Sequence, residues 1–273
     1  MERSQSWTFL TFGRSGATVA DGLLGPRRER DSDAWSGQRG QLQEVADTVD
    51  RRQIDVLLIS IGGNDLGFST TLEEMVLTGA TVFSIGKQKS EVEFEEAIAD
   101  RLKSLRANML RMKADIEVTL KPLHVLLTEY PANPFGDSAG NAREGCEIFS
   151  TGANVSPALY DLLHIDKQEA ARIERVGMRL NKTLREIAAE FGWGFVSGIA
   201  YAFEGHGYCT EKRYYVQARE SLGIQGDTQG TLHPNIEGCK RIGERIALAV
   251  RNLYTDSVRP VDRTIRANRG TTR

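Results

Sequence analysis

Residues 56–68 read VLLISIGGNDLGF. An apolar run from Val56 to Ile61 closes abruptly in Gly62-Gly63-Asn64-Asp65. A short apolar run ended by a turn signal reads as a strand buried on both faces, as in a parallel α/β sheet. Open α/β sheets bind their ligands at the carboxyl ends of the strands. Asn64 therefore falls where such a fold keeps its chemistry. Glycine lets backbone approach a ligand closely, and an asparagine side chain offers amide donors. The same tetrapeptide also reads as a plain turn at the end of a strand.

Two other stretches decide between these readings. One is Thr231-Leu232-His233-Pro234-Asn235, far downstream. The other is Phe12-Gly13-Arg14-Ser15-Gly16-Ala17-Thr18, upstream. Taken in order, the three blocks resemble the SGNH (GDSL-type) hydrolase family, over residues 7–253. The resemblance implies an α/β fold, a three-layer α/β/α sandwich around a parallel flavodoxin-like sheet of strand order 2-1-3-4-5. It implies serine-type ester hydrolysis, with the Asn64 side chain and the Gly16 amide as oxyanion donors and His233 as the base. Asp65 is expected to anchor its turn.

Two parts of the family pattern have no counterpart. The family's nucleophile lies in a Gly-Asp-Ser block at the end of the first strand, but none of the eleven residues before Phe12 forms one. The first strand is thus expected to be missing, with a start called too late or a clipped gene as the simplest cause. The chain as given is expected to be inert. The orienting acid of the family stands three residues before the histidine, a position held here by Gly230. Asp227, or a backbone carbonyl near Gly230, is the candidate to hold the imidazole. Gly136-Asp137-Ser138 spells the nucleophile tripeptide, yet Pro131 and Pro134 separate it from the preceding strand. Ser138 therefore reads as an exposed turn. Ser15 is a weaker substitute still.

The rest of the chain is read by period. Residues 7–12, 123–128 and 193–196 are further strand candidates, and strands alternating with helices argue for a parallel sheet covered on both faces. Phe94, Ile98, Leu102, Leu105, Met109, Met112 and Ile116 form one stripe of a long helix over residues 91–120, and Ile173, Val176, Leu180, Leu184, Ile187 and Phe191 another over 166–191. Leu42, Val45 and Val49 mark a short helix. Ile236, Cys239, Ile242, Ile246, Ala249 and Leu253 mark the inward face of a closing helix. Residues 23–40 read as an exposed loop, 69–90 as a helical excursion, and 221–231 as a glycine-bearing loop leading to His233. The hydrolase-like domain is read as residues 1–254, and 255–273 as a disordered basic tail.

Composition sets wider bounds. The chain has 273 residues, 40% hydrophobic and 26% charged, with a net charge of −2. It is an ordinary globular composition that implies no nucleic-acid partner. No apolar run reaches the roughly 20 residues of a membrane span. No metal or cofactor is implied; a nucleotide-binding α/β domain ranks last because neither a Gly-x-Gly-x-x-Gly nor a Walker-type loop is present. Export would require a signal peptide upstream of Met1. Of the cysteines, Cys146 and Cys209 sit in loop-like sequence, either bridged in an oxidising compartment or free, with the resemblance favouring the bridge. Cys239 is expected to be a buried apolar residue. His206, in Gly-His-Gly-Tyr-Cys, reads as structural, and His124 and His164 as surface or packing residues. The substrate is expected to be a small-molecule, lipid or carbohydrate ester. A non-catalytic SGNH-fold protein that binds an acyl or carbohydrate ligand is the alternative.

Overall fold

The computed structural model describes residues 7–26, 39–67, 91–136, 146–147, 164–165, 167–226 and 230–256. Among them the strands are β1 (Val56–Ile59), β2 (His124–Thr128), β3 (Cys146–Glu147), β4 (His164–Ile165) and β5 (Gly194–Val196). The helices are α1 (Gln41–Val49), α2 (Glu91–Thr119), α3 (Lys167–Phe191), α4 (Ile199–Ala202), α5 (Ala218–Gln225) and α6 (Ile236–Asp256).

The main sheet has the order β1-β2-β5 and is wholly parallel. Val56 faces His124 across the first ladder and Leu126 faces Gly194 across the second. Parallel neighbours need a long crossover, and α2 and α3 supply the two crossovers. A Cβ at Gly194 would meet Leu126 Cδ2 at 2.4 Å, so a larger residue in this register would have to displace the leucine side chain. The pair β3–β4 is antiparallel and separate. It went unforeseen because two residues are too few to show any period.

Strand residues alternate between two cores, as a pleated sheet requires. Leu57, Ile59, Val125, Leu127 and Phe195 face the first core, shared with the stripes of α2 and α3. Val56, Leu58, Leu126 and Val196 face the second, closed by Ile242, Ile246, Ala249, Val250 and Leu253 of α6. The architecture is an α/β/α sandwich. In α2 the expected stripe is buried at Ile98, Leu105, Met109, Met112 and Ile116. The helix stops where Lys121 turns to φ 45° and Pro122 follows, since proline cannot continue it. Gly192, at φ 70°, ends α3 in the same left-handed way.

Charged residues cross-link α2 and α3. Glu91 pairs with Arg172 and Arg175, Glu95 with Arg175 and Arg179, and Arg106 with Glu186 and Glu190. Helix α6 runs against the strands: Tyr254, near its end, sits edge-on to His124 at the start of β2, with centroids 6.2 Å apart. Its beginning, and His233 just before it, therefore lie on the carboxyl side of the sheet.

Several expectations are corrected. Residues 7–12 form no strand; Trp7 is 61% and Phe9 81% exposed, and no ladder partner exists for them among the described residues. A β-prone run becomes a strand only when paired. Trp7 instead rests edge-on against Tyr254 at 5.6 Å. Cys239 is exposed and free, and Ile236 is 86% exposed. The inward position is taken by Gly238, because a Cβ there would lie 2.4 Å from the Tyr214 carbonyl. Residues 221–225, expected as loop, belong to α5, whose start has a capping box between Gln217 and Glu220 and whose end is Gly226 at φ 81°. Leu23 is buried, so the loop it begins is anchored. Cys209 is disulfide-bonded. Residues 69–90 and 257–273 lie outside the described residues.

Candidate active site

Gly62, at the carboxyl end of β1, takes φ 117°, a conformation open to glycine. The turn then closes on itself: Leu66 N–H donates to the Gly62 carbonyl at 3.2 Å and Gly67 N–H to the Asn64 carbonyl at 2.9 Å. Arg101, reaching from α2, donates to the Leu66 carbonyl at 2.6 Å.

This turn is clipped to the upstream block by side chains. Asn64 Nδ2 donates to the Ala17 carbonyl at 3.0 Å. Asp65 accepts the Val19 N–H with both oxygens, each at 3.1 Å. Asp65 thus anchors a distant loop, where the sequence suggested only its own turn. The loop has reason to stay: Ala17 and Val19 are buried. Gly16, at φ 71°, makes the bend ahead of them. An asparagine amide carries two protons. One holds Ala17, and no acceptor takes the second among the described residues. No acceptor takes the Gly16 N–H among the described residues.

Burial pushes the Asp65 carboxyl up to about 6, against the pull of the Val19 amide and its own backbone, with Asp21 adding to the rise. Tyr130, the second residue after β2, lies over the turn; a Cβ at Gly63 would meet its ring at 3.2 Å. Burial also holds the Tyr130 phenol above its ordinary value, while hydrogen bonds with the Gly63 backbone and the Ser60 side chain pull it down and Asp65 pushes it up. Beside it, Glu129 is only 8% exposed. It pairs with Arg185 at 3.2 Å and accepts the Ala200 N–H at 3.1 Å, which fixes the ends of β2 and β5 together.

The His233 corner is built differently. Leu232 turns to φ 64°. His233 N–H donates to the Gly230 carbonyl at 3.1 Å, and its own carbonyl accepts the Val216 N–H at 2.9 Å. Gly230 N–H in turn donates to Ser221 Oγ at 3.0 Å. The imidazole itself is exposed and has no hydrogen-bond partner among the described residues. The Gly230 carbonyl, among the backbone candidates to hold the ring, accepts the His233 backbone amide and keeps a second lone pair. Asp227, the other candidate, lies outside the described residues, as does Ser138. No hydrogen bond joins His233 to either of the other blocks among the described residues. His206 stacks on Tyr214 with centroids 3.8 Å apart, and its Nδ1 meets the Lys212 carbonyl at 2.5 Å, a packing role.

The arrangement puts the Asn64 amide just past the carboxyl end of β1, clipped to the loop that carries Gly16, and His233 on the same side of the sheet. Amide donors suit a developing negative oxygen, and the histidine suits proton transfer. The family model for GDSL-like lipase/acylhydrolase matches residues 3–246. The chain belongs to that family. Membership brings ester hydrolysis as its general chemistry. No curated protein matches the sequence. Similar solved structures include an extracellular lipase from Streptomyces rimosus, 19% identical, with TM-score 0.46, covering 71% of this chain and 69% of that one. A phospholipase A1 from Streptomyces albidoflavus is 16% identical, with TM-score 0.47, covering 77% and 75%. Among the described residues of this GDSL-family chain, no group of three His, Cys, Asp or Glu side chains converges as a metal site would, and no helix is long and apolar enough to cross a membrane.

Two residues at this corner were missed from sequence. Tyr130 carried a signal, its place just past the carboxyl end of a buried strand. Asn181 carried another, a polar residue beside Leu180 and Leu184 on the buried stripe of α3.

Proposed function

We propose that the chain supplies the oxyanion hole and the general base of a serine-type ester hydrolase. The Asn64 side chain and the Gly16 amide stabilise the tetrahedral oxyanion, and His233 accepts the proton of the attacking serine. What supports this reading is the clip between the two blocks. The bonds Asn64–Ala17 and Asp65–Val19 join two segments far apart in sequence and leave one amide proton of Asn64 and the Gly16 N–H to serve one small acceptor. The substrate is an acyl ester of a small molecule, a lipid or a carbohydrate. No Gly-Asp-Ser block precedes Phe12. On this reading the chain alone turns over esters at a trace rate, because loss of the nucleophile in a serine hydrolase lowers kcat about 10⁶-fold.

Intact-mass spectrometry after exposure to a fluorophosphonate probe tests this. The chain alone is expected to stay unlabelled. A version with an apolar strand ending in Gly-Asp-Ser joined ahead of residue 7 is expected to take one adduct, lost again in His233→Ala. An adduct on the chain itself that mapped to Ser138 would make that serine the nucleophile. Silence of both forms would sink the hydrolase and favour a non-catalytic binder of acyl or carbohydrate ligands.

A further inference from the structure

We propose that Tyr130 and Asn181 are positioning residues that aim the Asn64 amide by bracing the peptide of Gly63. This rests on reading Asn64 as an oxyanion donor. The chain of contacts begins on α3. Asn181 is 7% exposed, a costly place for an amide unless both its ends are bonded. Both are. Its Oδ1 accepts the Tyr130 N–H at 2.8 Å, and its Nδ2 donates to the Tyr130 carbonyl at 2.7 Å. Tyr130 lies just past the ladder, whose last bond is Glu129 N–H to the Val196 carbonyl at 3.0 Å. Asn181 therefore does for Tyr130 what a neighbouring strand does for β2, fixing the peptide and with it the direction of the side chain.

The ring so aimed covers Gly63, and its hydroxyl meets the Gly63 backbone and the Ser60 side chain. The same turn of α3 supports the next peptide. A Cβ at Gly62 would lie 3.3 Å from Leu180 and 3.5 Å from Leu184. One helical turn thus braces both glycines, directly at Gly62 and through Tyr130 at Gly63, and Asn64 is the next residue. A packing role alone needs no ring so close that a Cβ at Gly63 would meet it at 3.2 Å, and no amide spending both ends on one peptide.

The test follows the Asn64 side-chain NH₂ signals in ¹⁵N spectra of the full chain, assigned by their loss in Asn64→Ala. Tyr130→Ala and Asn181→Ala are expected to shift these signals and speed their exchange with water about tenfold, as local opening does. Tyr130→Phe keeps the ring but loses the hydroxyl's bonds to the Gly63 backbone and Ser60, and is expected to shift the signals less than Tyr130→Ala. Should Asn181→Ala fail to fold, Tyr130→Ala carries the test. Unmoved signals in folded Tyr130→Ala overturn the proposal. In a form that turns over esters, Tyr130→Ala is expected to lower kcat with KM unchanged, by up to the roughly 10²-fold that one oxyanion donor contributes. It is expected to add little on top of Asn64→Ala. If the signals move but Asn64→Ala leaves turnover untouched, the coupling stands and the hydrolytic reading falls instead.

Discussion

At Asn64 the side chain is bonded, its neighbour Asp65 is bonded, and the glycines before it are covered by Leu180, Leu184 and Tyr130. At His233 the peptide is bonded on both sides, while the imidazole is exposed and has no hydrogen-bond partner among the described residues. The two corners of one site are thus fixed by different means. A donor for a developing charge works by being in place beforehand. A base also has to move a proton, and catalytic hydrogen bonds are often long or unformed until substrate arrives. On the proposed reading, the Asn64 half of the site is built during folding and the His233 half is completed by a reacting group.

The contrast breaks most sharply at Gly62. Gly62→Val places a branched side chain at φ 117° and against Leu180, Leu105 and Leu184. Strain and overpacking together should cost about 3 kcal/mol, read by denaturant unfolding. A loss under 0.5 kcal/mol would mean the corner yields easily. Asp65 gives the next effect. Its carboxyl holds its proton up to about pH 6 when folded, against 3.8 for the free group. An acid with a raised folded pKa binds protons more tightly in the native state, so it favours folding below about pH 4 and that contribution is lost as pH rises towards 6. The loss should be on the order of 2 kcal/mol and should flatten in Asp65→Asn. Equal slopes in the two proteins would show that Asp65 is not the group responsible. At the other corner, His233→Ala should change stability by no more than about 0.5 kcal/mol, because nothing in the fold leans on an exposed ring. A larger loss would mean the imidazole is held after all, and the contrast between the corners would shrink.

Much of the scaffold could be read in advance because its signals are local. The stripes of α2 and α3 and the runs of β1, β2 and β5 are visible in single windows of sequence. Residues 7–12 show the limit: their strand character depended on a partner that no window reveals. Cys239 was misplaced by one position, since the helix turns Gly238 inward to let the backbone approach the Tyr214 carbonyl. Helix α5 was legible and overlooked; Gln217 and Glu220 stand at capping-box spacing ahead of it. At the site, Asn64, Gly16 and His233 stood out as motif members. The Asp65–Val19 bond and the hold of Asn181 on Tyr130 did not, because each joins residues about fifty positions apart.

The ion pairs between α2 and α3 carry a consequence beyond their small energy. Glu91 to Arg175, Glu95 to Arg179 and Arg106 to Glu190 all span 84 positions, and Arg106 to Glu186 spans 80. The acidic end of α2 meets a basic stretch of α3, and further along the signs exchange. Exposed pairs of this kind add little stability. Displacing one helix along the other by the distance between Glu95 and Arg106 would, however, bring like charges face to face. The pattern works as a coarse scale against so large a slip, and in the alignment observed Leu180 and Leu184 lie level with Gly62 while Asn181 holds the tyrosine that covers Gly63.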